Sequence, residues 1–419
     1  MGAFSTPLSG LTAAQDQLQT VSNNLANMNT DGYKDQNLTF GDIFAQAGAT
    51  NGAGDPMQTG SGVKVASTVS TFTEGNLNPT NIASNMALSG NGFFVTQGAN
   101  GPVDYTRSGD FTTNNAGQIT TPNGELLLGY PAAAGVINTS AALQPLQVGT
   151  GVTIPAVAST TIGITANLDS DTAVGGTAPS SSLPVFDSLG SSHTLSVSYT
   201  KTAANTWTYS VTVPSADVTT GGTGTTSVGS GTLVFDGSGA LTPASVLGPI
   251  SIPTLADGAT PPLTLTGPFG SIVAGLVVNP TITQSAIASA TSATTTDGFA
   301  SGTLSTYAVQ PDGTIEGTFS SGKTLALGQV AVASFANTQG LVSTGNNNYQ
   351  PTAASGSAVV GLAGTGGRGT VVGGSVEESN VDIATEFAKL IVAQQAYSAN
   401  AKSITTFNQV SQATLAMIQ

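Results

Sequence analysis

The C-terminal segment, residues 381–418, contains no glycine or proline, although the chain has 53 glycines and 20 prolines. Apolar side chains recur in it every three or four positions, which predicts one amphipathic helix. That helix would be about 57 Å long at roughly 1.5 Å per residue. Ser379 followed by Asp382 is a candidate capping signal at its start. A helix of this length has no core of its own, so it must pack against a partner.

A second amphipathic segment lies at the opposite end of the chain, in residues 3–28. Leu8, Leu11, Leu18 and Leu25 lie at helical spacing, and Pro7 is tolerated in a first turn. Residues 29–32 (NTDG) predict the end of this helix. Because the sequence between the two helical segments is of β type, we expect the two ends of the chain to meet.

Composition excludes several classes of protein. Only 7% of the 419 residues are charged, and 22 acidic against 8 basic residues give a formal net charge of −14. Such a chain has no basic patch for nucleic acid, so we expect no nucleic-acid partner. There is no cysteine, and no run of about 18 apolar residues predicts membrane insertion. Residues 1–25 lack the features of a cleaved signal peptide.

The remaining sequence predicts β structure inserted between the helices. We expect a connector at 33–71, with a glycine-rich mobile loop at 48–62. Turn and strand signals recur from 72 to 147, and again in three segments, 302–309, 313–319 and 325–335. Residues 148–295 contain further alternating strands and form an all-β insertion. The predicted fold class is therefore α+β and multidomain, with all-β outer domains between long terminal helices.

Two glycine-rich motifs resemble nucleotide-binding loops. Residues 317–324 (GTFSSGKT) match the phosphate-loop pattern, but the sequence that follows reads as a strand where that loop requires a helix. Residues 364–369 (GTGGRG) match the dinucleotide fingerprint without a surrounding parallel βαβ unit. We interpret the first as a hairpin and the second as a flexible linker into the terminal helix.

Other chemically suggestive residues have simpler interpretations. His193 is the only histidine, and we interpret it as a surface residue at a strand end. The pair Asp169 and Asp171 reads as a solvated loop, whereas Glu377 and Glu378 precede a helix, where negative charge is favourable. Trp207 and Tyr209 share one strand face, which predicts core packing. The sequence therefore predicts no enzyme, no catalytic residue, no cofactor and no metal site.

Two terminal motifs carry a family resemblance. Residues 21–34 (VSNNLANMNTDGYK) resemble the N-terminal signature of bacterial flagellar axial proteins, the rod and hook family. Residues 376–382 (VEESNVD) and 391–397 (IVAQQAY) are similar to the matching C-terminal signature. The resemblance implies a helical homopolymer whose inner domain combines residues 1–32 and 376–419 in a coiled-coil-like arrangement. It also implies a first β-domain, 72–147 plus 296–375 with a C-terminal linker, and an outer insertion, 148–295.

The length and the insertion favour a hook subunit over a distal rod subunit, which remains an alternative. A secreted β-rich adhesin or binding module is a more distant alternative. The resemblance implies a curved, torque-transmitting tube, with glycine-rich hinges at 48–62 and 364–374. The implied partners are other copies of the chain, the distal rod protein, the hook cap, the hook–filament junction proteins and the flagellar export apparatus. It also implies an extracellular location reached without a cleaved signal peptide. The predicted assembly residues are Leu8, Leu11, Leu18, Leu25, Phe387, Leu390, Ile391, Tyr397 and Ile404.

Overall fold

The computed structural model describes residues 5–43, 46–50, 56–98, 101–149, 151–218, 222–273 and 276–418. The chain divides into two compact units. The first unit comprises residues 1–150, 306–317 and 325–419, and the second comprises residues 151–305 and 318–324. The chain is mostly β, with a long helix at each end, as the α+β prediction requires.

The first unit contains both terminal helices, Ser5–Ala26 and Ile383–Ile418. Both lie within the segments that the spacing predicted. After the N-terminal helix, the chain turns at Gly32, whose φ is +71°. A Cβ at this position would sit 2.5 Å from the backbone nitrogen of Ser108, so the turn requires glycine for its conformation and for space.

The described residues of the predicted connector, 33–71, include two pairs of antiparallel strands, called the β-ribbon. Gln36–Asp42 pairs antiparallel with Val63–Ser70, and Gln46–Thr50 pairs antiparallel with Pro56–Thr59. The prediction of a glycine-rich mobile loop over 48–62 is therefore wrong for the residues that lie in paired strands, whereas residues 51–55 lie outside the described part. Backbone hydrogen bonds can pair strands of small residues, which carry little side-chain pattern.

A large sheet forms the body of the first unit. Before the insertion, the strands of this sheet are Phe93–Gln97, Val103–Thr106, Thr112–Thr113, Ile119–Thr120, Leu126–Ile137 and Gln144–Pro145, whereas Leu77–Pro79 and Met86–Ser89 pair outside it with Ser375–Glu377 and Thr370–Gly373. The later strands are Gly302–Val309, Thr314–Phe319, Thr324–Ser334, Val342–Gly345, Asn348–Gln350, Val359–Leu362, Thr370–Gly373 and Ser375–Glu377, with a 3₁₀ turn at Thr338–Gly340. Phe94 and Phe111 meet edge to face in its core, with ring centroids 5.3 Å apart.

Sequence from both sides of the insertion pairs within this body. Leu126–Ile137 runs antiparallel to Thr324–Ser334, with Gly129 opposite Val330. Thr370–Gly373 pairs with Met86–Ser89. The expectation of a flexible linker at 364–374 is therefore wrong, since its second half is a paired strand and its first half is a hydrogen-bonded turn, with the Gly364 nitrogen 2.8 Å from the Gly369 oxygen.

The described residues of the second unit are all-β apart from one short helix, Ser215–Val218. Its strands are Thr153–Ile154, Ile162–Asp169, Thr177–Phe186, Ser192–Ala203, Thr206–Pro214, Thr225–Val234, Ile250–Ile252, Leu263–Leu265, Ser271–Val273, Leu276–Val278, Ile282–Ser285 and Ala290–Thr296. Four long strands, from Thr177–Phe186 to Thr225–Val234, form an antiparallel meander. Trp207 and Tyr209 are fully buried in the core, which confirms their predicted packing role, and Nε1 of Trp207 donates to Oε1 of Gln284 at 3.0 Å.

Candidate assembly interface

The two terminal helices pack against each other in antiparallel orientation. Near one end, Nδ2 of Asn24 donates to Oε2 of Glu386 at 3.0 Å. Near the other, a Cβ added to Gly10 would sit 2.8 Å from Nδ2 of Asn400. Because the C-terminal helix has 36 residues and the N-terminal helix has 22, the former extends well beyond this contact.

The nine predicted assembly residues fall into two groups. The exposed ones are Leu8, Phe387, Ile391 and Tyr397. The half-buried ones are Leu11, Leu18, Leu25, Leu390 and Ile404. Because none of the nine is fully buried, large apolar side chains of the predicted seam are left at the surface by the packing of the two helices.

Apart from Asn24 and Glu386, the buried side chains of the two helices are small. Ala13, Ala14 and Val21 are buried on the N-terminal helix, and Ala393 is completely buried on the C-terminal helix. The spacing argument missed this face because it gave weight to large apolar residues. Alanines at helical spacing were the available signal, since small side chains allow two helix backbones to approach closely.

Apolar side chains cover much of the solvent-facing surface of the C-terminal helix. Phe387, Ile391 and Val392 are 53%, 56% and 63% exposed, respectively. Every residue from 405 to 417 is exposed, including Leu415 and Met417. An apolar surface that is continuous along a helix marks a site of interaction with another molecule.

A buried ion cluster joins the segment before the C-terminal helix to two other parts of the first unit. Glu377 is fully buried, and its two carboxylate oxygens lie 2.5 Å from Nζ of Lys34 and 3.2 Å from Nη1 of Arg107. Burial lowers the pKa of Lys34, although the charge of Glu377 opposes this shift. Lys34, Arg107 and Glu377 together form the buried joint of the first unit. The prediction that Glu377 serves the helix terminus is therefore wrong, since its carboxylate binds two cations.

Asn24 is the centre of a second buried contact. Its side chain accepts a hydrogen bond from the hydroxyl of Tyr33 at 3.0 Å and donates to Oδ1 of Asp35 at 2.6 Å. Burial, followed by the charges of Asp35 and Glu386, raises the pKa of Tyr33 to about 12. Residues of the N-terminal motif thus hold the two helices and the β-ribbon together, a role that the motif alone did not reveal.

Asp382 caps the C-terminal helix. Its Oδ1 accepts the backbone N–H of Thr385 at 2.7 Å, the contact that an N-cap makes three residues into a helix. Hydrogen bonds from Thr385 lower the pKa of the Asp382 carboxyl. The predicted capping signal was Ser379 followed by Asp382. It is corrected in one respect, because Asp382 itself is the cap, whereas Ser379 lies three residues before it.

The nucleotide-like motifs have non-nucleotide structures. Lys323 and Phe319 close a hairpin turn, with the Phe319 nitrogen 2.9 Å from the Lys323 oxygen, and the strand Thr324–Ser334 follows. This confirms the hairpin interpretation of residues 317–324. The turn at 364–369 lies between two strands, so no helix begins there to bind phosphate.

His193 is not a surface residue, contrary to the prediction. It is 5% exposed, and its Nε2 lies 3.0 Å from Oδ2 of Asp187. Burial alone would lower the pKa of His193, but its hydrogen bond with Asp187 and the charges of Asp217 and Asp187 raise it. The sequence did carry a signal, because His193 alternates with Leu195 and Val197 on the buried face of their strand.

Comparison with known proteins identifies the chain. It is 34% identical to the flagellar hook protein FlgE of Escherichia coli (strain K12), over 97% of this chain and 98% of that protein. The chain belongs to the flagellar hook protein family. The flagellar hook protein FlgE of Treponema pallidum (strain Nichols) is 32% identical over 97% of each chain. These relatives confirm the prediction of a hook subunit.

Family descriptions match successive parts of this hook-family chain. Residues 4–34 match "Flagella basal body rod protein", and residues 372–417 match "Flagellar basal body rod FlgEFG protein C-terminal". Residues 87–167 match "Flagellar hook protein FlgE/F/G D1 domain", and residues 159–299 match "Flagellar basal body protein FlaE D2 domain". The terminal matches contain the two motifs from which the family was first inferred.

A solved structure shares the fold of this hook-family chain. The crystal structure of the Helicobacter pylori flagellar hook protein FlgE2 aligns with a TM-score of 0.52 at 15% identity, covering 70% of this chain and 98% of that one. Within the described part of the chain, no helix is long and apolar enough to cross a membrane.

Proposed function

We propose that this hook subunit polymerises with copies of itself into a curved, hollow helical tube that transmits motor torque to the filament as a universal joint. The observation that carries the proposal is the exposed apolar surface of the C-terminal helix, including Phe387, Ile391 and Val392. Each such side chain contributes on the order of 1 kcal/mol when a neighbouring copy buries it. The role is structural, without catalysis.

The terminal helices would form a coiled-coil-like inner wall of the tube through contacts between copies. The half-buried residues Leu390 and Ile404 would complete their packing against a neighbouring subunit. Contacts that repeat from copy to copy without closing a ring generate an open helical filament. The buried joint would carry torque from these helices to the β-strands of the first unit, since Lys34, which follows one helix, and Arg107, in the β-structure, bind the same carboxylate.

Bending of the tube would depend on weak contacts between neighbouring subunits. With only 7% charged residues, many outer contacts would involve small Thr, Ser and Gly side chains. Such contacts can slide at low cost, which would let each row of subunits lengthen and shorten as a bent tube turns. The paired strand Thr370–Gly373 makes its segment a poor hinge, so we place the flexibility between copies.

The double substitution Phe387→Asp with Ile391→Asp tests the assembly surface. We expect the variant chain to stay monomeric under salt conditions in which the unchanged chain forms tubes, because charge would replace apolar contact. Sedimentation and negative-stain electron microscopy measure the outcome. Near-ultraviolet circular dichroism of the buried Trp207 reports whether the second unit keeps its fold.

Ser398→Asp is the matched control, since Ser398 is an exposed polar residue of the same helix. Its chain should still form curved tubes. If the double variant assembled normally, these side chains would not be part of the interface. Straight, rigid tubes from the unchanged chain would contradict the hook geometry and favour a rod.

The proposal includes an extracellular location and export through the flagellar export apparatus with an intact N-terminus. Family membership supports both, as it supports contacts with the distal rod protein, the hook cap and the hook–filament junction proteins. Mass spectrometry of subunits taken from assembled hooks tests the export route. A terminus that begins at Met1 or Gly2 agrees with it, whereas cleavage further along the chain would contradict it.

A further inference from the structure

Three carboxylates surround the buried His193 in the second unit. Asp187 lies in the turn before the strand Ser192–Ala203, and Asp217 lies in the helix Ser215–Val218. Asp257 lies in the loop between Ile250–Ile252 and Leu263–Leu265. Residues that are distant in sequence thus place four ionisable side chains at one point.

The two ring nitrogens of His193 face different carboxylates. Nε2 lies 3.0 Å from Oδ2 of Asp187 and 3.8 Å from Oδ2 of Asp257. Nδ1 lies 3.2 Å from Oδ2 of Asp217, without hydrogen-bond geometry. His193 therefore presents Nε2 to two carboxylates and Nδ1 to a third.

The negative charge of this group exceeds its positive charge. One imidazole can neutralise only one of the three carboxylates. No ion pair between described residues joins Asp187, Asp217 or Asp257 to a lysine or arginine. Carboxylates held together in a partly buried place are stabilised by a bound cation or by a proton that one of them takes up.

We propose that Nε2 of His193 and the facing carboxylate oxygens of Asp187 and Asp257 form a binding site for a divalent transition-metal cation of the zinc class. Ligand atoms around a tetrahedral zinc ion, with bonds of about 2.0–2.1 Å, lie about 3.3 Å apart. The two distances from Nε2, 3.0 and 3.8 Å, bracket this separation. An imidazole ligand favours zinc, nickel or cobalt over calcium or magnesium.

The surroundings orient the proposed ligands. Oδ1 of Asp187 accepts backbone N–H groups from Leu189 at 2.8 Å and from Ser191 at 2.9 Å, which leaves Oδ2 directed at His193. Oδ1 of Asp257 similarly accepts the backbone N–H of Ala259 at 3.1 Å. Each carboxylate thus has one oxygen fixed by the backbone and a second that faces Nε2 of His193.

Asp217 completes the arrangement as a positioning residue. A metal-ligating histidine commonly donates its other ring N–H to a carboxylate, which fixes its tautomer and orientation. Asp217 faces Nδ1 and is suited to this role. The side chains of Asp217 and Asp257 are 26% and 30% exposed, so a cation and a water ligand can reach the site from solvent.

Isothermal titration calorimetry of the full chain tests the proposal. After the chain is stripped with a chelator, titration with zinc chloride should reveal one saturable site per chain. Asp257→Asn and His193→Gln should each raise the Kd at least about tenfold, since each removes a ligand. Asp217→Asn should also weaken binding, by a smaller factor. Zinc should raise the Tm of the second unit, whereas magnesium and calcium should not.

Asp236→Asn is the matched control, because Asp236 is a surface aspartate of the same unit that closes a local turn. Its zinc affinity should equal that of the unchanged chain. Far-ultraviolet circular dichroism confirms that each variant is folded, and Asp257→Asn on its open loop provides a test if His193→Gln does not fold. A flat titration, or equal affinity in Asp257→Asn and Asp236→Asn, would overturn the proposal.

Discussion

Glu377 is a fully buried carboxylate that binds cations from two distant parts of the sequence. It also accepts the backbone N–H of Gly75 at 2.9 Å, while its own carbonyl oxygen accepts that of Gly32 at 2.7 Å. Removing one partner of a buried ion cluster leaves the other charges uncompensated in a poorly solvated site. At the scale of single residues, we therefore expect Glu377 to be among the most sensitive positions in the chain.

Glu377→Gln should lower the free energy of unfolding by about 3–5 kcal/mol, because it leaves the cations of Lys34 and Arg107 buried without a counter-charge. Urea unfolding followed by far-ultraviolet circular dichroism measures the change. Glu378→Gln is the control, since its side chain makes one hydrogen bond of 3.2 Å at the surface. The control should change stability by less than about 1 kcal/mol. Equal effects of the two variants would show that the buried joint does not stabilise the fold.

Asp297 makes a pH-dependent contribution to the stability of the second unit. Burial alone would raise its pKa, but hydrogen bonds from Thr160 and Thr161 outweigh burial and lower it. A carboxyl whose pKa is lower in the folded state stabilises the protein above the unfolded value of 3.8. That stabilisation is lost as the pH falls through the folded pKa.

We therefore expect Asp297→Asn to reduce stability clearly near pH 7 and to have a smaller effect at about pH 3. Urea unfolding at both pH values measures the two differences. Asp171→Asn, a substitution at an exposed aspartate, is the control and should change stability by less than about 0.5 kcal/mol at pH 7. If the loss of stability caused by Asp297→Asn stayed constant or grew on acidification, the Asp297 carboxylate would not stabilise the fold in this way.

Residue roles were only partly predictable from the sequence. The core positions of Trp207 and Tyr209 follow from strand alternation, and the same alternation would have placed His193 inside. The buried joint was not predictable, because its three members are brought together by tertiary pairing. No local pattern relates Arg107 to Glu377, which lie 270 positions apart.

Among the secondary-structure elements, the terminal helices are paired through small side chains. Ala393 is completely buried, at a level between the Asn24–Glu386 and Gly10–Asn400 contacts. A larger side chain at this position must push the helices apart or adopt a strained rotamer. The separation of the two helices therefore depends on alanine there.

Ala393→Leu should destabilise the helix pair by about 1–3 kcal/mol through overpacking. Ala388→Leu provides the control, because Ala388 is exposed on the same helix and should change stability by less than about 0.5 kcal/mol. Thermal unfolding followed by far-ultraviolet circular dichroism compares the two variants. If both unfolded alike, the helices would not be in close contact at Ala393.

The existence of the long elements was predictable, whereas several of their contacts were not. Residues 381–418 predicted the helix Ile383–Ile418 because no glycine or proline interrupts its apolar pattern. The strands Gln46–Thr50 and Thr370–Gly373 were missed because glycine-rich sequence resembles a loop. Backbone pairing with a distant partner stabilises them, and a local pattern contains no information about that partner.

For the whole molecule, net charge influences assembly. Each copy has a formal charge of −14, so copies repel one another at low ionic strength. Salt shortens the range of that repulsion from about 30 Å at 0.01 M to about 3 Å at 1 M. The apolar contacts of the C-terminal helix are not screened in this way.

We expect the polymerised fraction to rise as the sodium chloride concentration increases from about 0.01 M to about 1 M. Quantitative sedimentation followed by electron microscopy of the pellet measures it. Sucrose at equal osmolality is the control, since it leaves the screening length unchanged and should have a much smaller effect. A polymer yield that is independent of salt, or that falls with it, would show that charge repulsion does not limit assembly.

The buried joint also constrains the order in which the molecule can form. Lys34 and Glu377 are separated by 343 positions, and the body of both units lies between them in sequence. A chain delivered one end first, by synthesis or by passage through a narrow channel, can complete local hairpins early. It cannot close the joint until nearly all of its length has arrived. The contact that anchors the terminal helices is therefore among the last that a new subunit can make, which couples its readiness for assembly to complete delivery.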